Sequence, residues 1–276
     1  MKALLAALAL CLPAAAERPP RPVLGSGNGS TSAPMRGPVT FSLRSYAADV
    51  DVVASSQPRL ALSVTDKPGM RVALLSTGGD RIEAEFAGKR QLHDGRLRIE
   101  VPRGSSIDVS AVSGRVSVSG VGGRVRIRGM SGEVKVAGAT EVDVETVDGA
   151  VEVSDAAGQV RIHTISGTSQ VIASEPASRI ELETSSGQVS FRGPCGKGCH
   201  LDVDTVSGEV RFVLGPESSF AASVISTSGK VHDDLPVGFR AAGGPSEGAW
   251  SEGRYGDGDG VIECETFSGD ISFAAR

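Results

Sequence analysis

Residues 141–171 read EVDVETVDGAVEVSDAAGQVRIHTISGTSQV, one short pattern written twice. Val142 and Val144 alternate with charged residues, Thr146 follows, Asp148-Gly149 makes a corner, and Val151 and Val153 resume the alternation. Val160, Ile162, Thr164 and Ser166-Gly167 then begin the pattern again. Alternation of period two places these apolar side chains on one face of a strand, and the glycine marks a bend between two short strands.

Taking that glycine as origin, the same unit recurs at Gly114, Gly132, Gly149, Gly167, Gly187, Gly208, Gly229 and Gly269, with spacings of 18, 17, 18, 20, 21, 21 and 40 residues. A period near 20 signals stacked units. The expected fold is therefore all-β, a single-domain β-solenoid with two short strands per coil, a repeat of about 18–21 residues and a narrow apolar core. At ~4.8 Å between neighbouring strands, eight or nine coils form a rod of roughly 40 Å. Three residues before the glycine stands a small residue, threonine in Thr146, Thr164, Thr184, Thr205 and Thr266. Its parity points inward at the corner, a structural position with no base beside it. Cys264 falls in the column of Val144 and is expected to be a buried free thiol.

Outside the strict repeat, Lys2, the apolar run 3–12 and Ala14-Ala15-Ala16 read as a signal peptide over 1–16. Cys11 follows Leu10, which argues against a lipoprotein site. Residues 17–38 are rich in Pro, Gly and Ser and read as a flexible linker. Residues 39–106 alternate without a fixed period and are expected to be degenerate strands capping the solenoid, with regular repeats over 107–276 and a Gly-rich insertion at 233–260. No other segment offers the ~20 apolar residues of a membrane helix. The mature protein is expected in the periplasm, at the cell surface or outside the cell. With a formal charge of −5 and 4% aromatic residues, it lacks the basic patches of a nucleic-acid reader.

Cys195 and Cys199 flank a short flexible loop and are placed to close a disulfide in an oxidising compartment. Metal binding by the pair is the alternative, with His200 as the one further local ligand. Within the insertion, Phe239, Trp250 and Tyr255 read either as partner-contact anchors or as a cap folded over an open end.

The outward positions alternate basic and acidic rows through the middle coils. Glu181, Glu183, Asp202 and Asp204 depart from this, being acidic on consecutive coils; the bland reading is a solvated face. The sharper one is a Ca²⁺ site, since stacked like charges repel and a hard cation would relieve them. The same carboxylates also admit a glycosidase acid/base pair, but such short coils leave no long loops to build a pocket around it. The four histidines are dispersed, and no phosphate loop or dinucleotide fingerprint occurs, so no catalytic residue and no cofactor beyond Ca²⁺ is expected.

The run VPRGSSIDVSAVSGRVSVSG (Val101–Gly120), the SG-x-V-x-V recurrence and the closing run RYGDGDGVIECETFSGDISF (Arg254–Phe273) together resemble the DUF4097 family of adhesin-like strand-repeat proteins. That family is related to the toast-rack domains of envelope-stress proteins. The resemblance implies a bacterial, envelope-associated, non-catalytic β-solenoid and supplies no site residues. Three functions follow as expectations: an adhesin-like rod binding an envelope or cell-surface polymer or protein; a periplasmic scaffold or stress sensor that self-associates; and, most distant, a glycan-acting enzyme.

Overall fold

The structure is a computed structural model that describes residues 23–67, 69–87, 89, 91–175, 178–235, 240–241 and 249–276. The expected signal peptide lies outside the described residues. Among the described residues there are 23 strands, all in one sheet, and no helix. The two halves of the 141–171 stretch become the strands Glu141–Ser154 and Gln159–Ile172, paired in parallel from Val142↔Val160 to Ser154↔Ile172. Arg179–Gly193 and His200–Leu214 continue the stack in the same register. The inward residues Val142, Val144, Val160, Ile162, Ile180 and Val203 are buried. We name each rung by its corner residue.

In the Gly149, Gly167, Gly187 and Gly208 rungs the two short strands expected per coil merge into one strand of 14 or 15 residues. The corner is a bend within the ladder, which glycine makes possible. A Cβ on Gly149 would sit 1.9 Å from the Gly132 carbonyl oxygen, and its φ of +141° disfavours any L side chain. The Gly114 and Gly132 rungs keep two strands each.

Stack order departs from chain order at both ends. The closing strands Gly260–Ser268 and Ile271–Ala275 pair directly with His200–Leu214, through Leu201↔Ile262 and Val210↔Ile271. Phe220–Ser226 and Val231–Asp233 lie beyond them, at the end of the parallel stack. The inward residues explain the exchange. Ile262, Cys264, Ile271 and Phe273 are all buried, with Phe273 stacked on Phe212 at 4.8 Å, whereas the Gly229 rung offers the smaller Ala222 and the polar Asp233. The rung richer in apolar surface takes the interior place. Ala249–Tyr255 covers Phe220–Ser226 as an antiparallel neighbour, so part of the expected insertion is sheet.

At the other end, Thr40–Ser45 and Ala48–Ser55 form a full rung against the Gly114 rung, with Ala48 in the corner column. The Gly95 rung, containing Arg81–Phe86 and Gly95–Pro102, lies outside it. Capping within the expected 39–106 segment falls to the antiparallel strands Arg59–Val64 and Arg71–Gly78.

The flexible linker read over 17–38 is corrected over most of its described part. Val23–Asn28 and Ser30–Pro34 are strands, antiparallel to Arg71–Gly78 and Arg59–Val64, and Thr31 and Ala33 are buried. The small residues that resemble a tether have a packing reason. A Cβ on Gly27 would lie 2.0 Å from the Ser30 carbonyl oxygen, so glycine lets the two strands turn against each other.

Cys195 and Cys199 are bridged and buried, with Cα atoms 5.3 Å apart. Their loop meets the exchanged rungs: the Ser219 N–H donates to the Cys195 carbonyl at 2.7 Å and the Val261 N–H to the Cys199 carbonyl at 2.9 Å. Cys264 is a buried free thiol whose pKa is pushed up by burial and by the nearby carboxylates of Asp204 and Asp202.

Candidate functional site

Outward side chains on the flat part of each strand stack into columns because the rungs share one register. One column runs Arg44, Ser110, Arg128, Glu145, His163, Glu183, Asp204, Glu265. Beside it lies a second, in which Arg126, Asp143, Arg161, Glu181, Asp202 and Glu263 follow one another. In the middle rungs opposite charges neutralise each other across strands, with Arg126–Asp143 at 2.7 Å and Arg128–Glu145 at 3.2 Å, and the His163 ring lies 2.9 Å from the Glu183 carboxylate.

The exchanged rung order changes the acidic end. The Gly269 rung brings Glu263 and Glu265 against Asp202 and Asp204, so the acidic face is three rungs deep. Six carboxylates occupy it. Glu181 is held by Arg161 at 2.6 Å and Arg179 at 2.5 Å, whose hydrogen bonds hold its carboxyl below the usual range. Asp204 has no paired cation among the described residues. Desolvation, followed by the charges of Asp202, Glu265, Glu183 and Glu263, raises its pKa.

A native pKa above the unfolded value makes the ionised group destabilising, with the loss fully present above the native value and relieved as pH falls through it. Asp204→Asn is therefore expected to be more stable than the wild type at neutral pH. The gain is less than about 1 kcal/mol for a screened surface charge, and it shrinks as pH drops through the raised pKa of Asp204. Thermal melts of both proteins between pH 7 and pH 4 check this; a gain unchanged with pH contradicts it.

Of the four carboxylates singled out as a Ca²⁺ site, the structure leaves Glu181 committed to two guanidinium groups and Glu183 beside His163. Among the described residues, the potential ligand atoms that gather within 4.8 Å of one another belong to His200, Asp202 and Glu263, so Asp202 alone is shared with the expected set. A shallow depression of about 390 Å³ lies between this face and the corner, lined by Glu183, Asp204, Glu265, Val206 and Phe267 over Thr205.

The aromatic anchors fare differently. Phe239 lies outside the described residues, and for Trp250 the backbone is described, paired with Ile225. Tyr255 is half-buried and stacked on Phe220 at 5.6 Å, a core contact instead of an exposed anchor, because its strand folds back over the end of the stack.

One surface feature is not anticipated by strand alternation. The residue two positions before the corner is apolar and exposed in six of the eight rungs from Ala48 to Gly269, as Tyr46, Met130, Val147, Ile165, Val206 and Phe267, with Phe267 64% exposed; Val112 and Ser185 hold the place in the other two. Backbone bonds fix the order of this ridge, for instance the Asp148 N–H donating to the Met130 carbonyl and the Ser228 N–H to that of Phe267. Its signal in the sequence is an apolar residue at a fixed offset from most of the corner glycines, Gly187 with Ser185 and Gly229 with Thr227 being the exceptions.

No curated protein matches the chain. A solved structure from Clostridium sporogenes ATCC 15579, described as a "putative cell adhesion protein", is similar at 10% identity over 91% of this chain and 99% of that one, with a TM-score of 0.28. The family model for Toastrack DUF4097 matches residues 83–273, from the Gly95 rung to the strand that carries Phe273. With more than two thirds of its length inside that match, the chain belongs to the Toastrack DUF4097 family.

Proposed function

We propose that the protein is an exported, non-catalytic β-solenoid that acts as an adhesin-like binding or structural rod of the cell envelope. The observation that carries this reading is the division of roles along each strand. Inward positions are apolar and buried with few exceptions, such as Ser169 and Asp233, while outward positions one residue away change freely from Arg128 to Glu145, His163, Asp204 and Ile225. Such a stack holds its fold whatever its outward columns carry, which suits a surface selected for binding. Its acidic face selects cationic chemistry, on a polymer, a protein or as Ca²⁺.

Protease treatment of intact cells, beside a lysed-cell control, tests the location. Cleavage on intact cells while a periplasmic marker survives is the expected result. Cleavage after lysis alone would sink the adhesin reading and favour the periplasmic scaffold, a reading that the exposed apolar ridge independently supports.

A further inference from the structure

We infer that the ridge is a self-association surface, on which a second copy of this chain packs antiparallel to form a twofold dimer. Six exposed apolar side chains in one line are not the scattered surface hydrophobes of a monomer. They occupy six of the eight rungs from the Ala48 rung to the Gly269 rung, with Val112 and Ser185 in the other two, and at ~4.8 Å per step the line is about 34 Å long.

Charge beside the ridge identifies the occupant and its direction. The adjoining column is basic toward one end, at Arg44 and Arg128, and acidic toward the other, at Glu183, Asp204 and Glu265; all five side chains are exposed. Arg44 and Arg128 line one shallow depression beside Met130, and the acidic residues line another beside Val206 and Phe267. A twofold axis perpendicular to the stack superposes this column on its own reverse. A twofold axis along the stack instead sets it against the opposite flank of the ridge.

With the perpendicular axis placed midway, between the Gly149 and Gly167 rungs, the rungs pair end for end. Arg44 then faces Glu265, Arg128 faces Glu183, and Glu145 faces His163 of the other copy. Along the ridge, Tyr46 meets Phe267, half-buried Val112 meets Val206, Met130 meets Ser185, and Val147 meets Ile165. No like charges oppose each other in this column. On the far flank the same register sets Asp49 against Asp270, so that flank stays outside the contact. Apolar burial supplies the affinity, while the charge pairs set direction and register. A strip this narrow sits near the lower end of stable interfaces, so dimers form at micromolar concentrations and above.

Sedimentation of the full mature chain between 1 and 200 µM tests this with two charge-reversed proteins, Arg44→Glu/Arg128→Glu and Glu183→Arg/Glu265→Arg. The wild type is expected to shift from monomer to dimer mass across this range. Each variant, like-charged against itself at both ends of the column, is expected to stay monomeric. An equimolar mixture is expected to recover the dimer, because both sets of pairs are then restored. This recovery also shows that both variants are folded. A wild type monomeric throughout, either variant dimerising as the wild type does, or a mixture that fails to dimerise would overturn the proposal.

Discussion

Gly187→Ala is expected to destabilise the stack by about 3–5 kcal/mol, adding the cost of an unfavourable backbone conformation to that of overpacking. The new Cβ would lie 1.9 Å from the Gly167 carbonyl oxygen and 3.0 Å from the Gly167 nitrogen, at a φ of +138°. Backbone, not a flexible side chain, is in the way, and it belongs to a ladder that continues through Gly149 and Gly208. Relief at one corner therefore displaces its neighbours. Gly78→Ala is the control: its φ is +114°, yet nothing lies within 4 Å of the added atom. That variant carries the conformational cost alone and is expected to lose about 1–3 kcal/mol. Urea unfolding of both proteins separates the two terms, and equal losses would refute the corner packing.

Phe212→Ala is the second large effect, at about 3–5 kcal/mol for a fully buried ring. Phe212 is stacked on Phe273 and sits in register with Phe191 on its other side. Its removal strips the Gly269 rung of its principal anchor while leaving the middle rungs intact. Amide exchange is accordingly expected to accelerate over 260–275 before it does over 141–172. Uniform acceleration along the chain would show that the exchanged rung is not separately anchored.

Much of this architecture is legible in the sequence from residue 107 to 214, because alternation and a period near 20 are both one-dimensional signals. Val142, Ile162 and Leu182 announce their column, and the glycines announce their bends. The order of the last two rungs is not legible in the same way, since stacking order need not follow chain order. Only the composition of the columns hints at it, through Ala222 and Asp233 in one unit against Ile262 and Phe273 in the other. Without that order, Glu181, Glu183, Asp202 and Asp204 form a two-rung acidic patch; with it, Glu263 and Glu265 extend the patch while Arg161 and Arg179 take Glu181 away. Residues 23–34 evade recognition as strands because an edge strand of Ser, Gly and Thr holds by backbone pairing, which leaves no apolar pattern. The ridge evades recognition because a residue at a bend has no defined face.

The exchanged rung order underlies both the three-rung acidic face and the sequence of the ridge, and cross-linking tests it most directly. Ser207 pairs in register with Ser268, whereas Ser228 lies one rung farther on, with its hydroxyl donating to the Phe267 carbonyl at 3.2 Å. Neighbouring strands lie ~4.8 Å apart, within the span a disulfide bridges, and second neighbours lie beyond it. Under mild oxidation, Ser207→Cys/Ser268→Cys is expected to give an intramolecular disulfide-linked peptide by mass spectrometry, and Ser207→Cys/Ser228→Cys none. The opposite result would place the rungs in chain order and contradict the arrangement described for this end of the molecule.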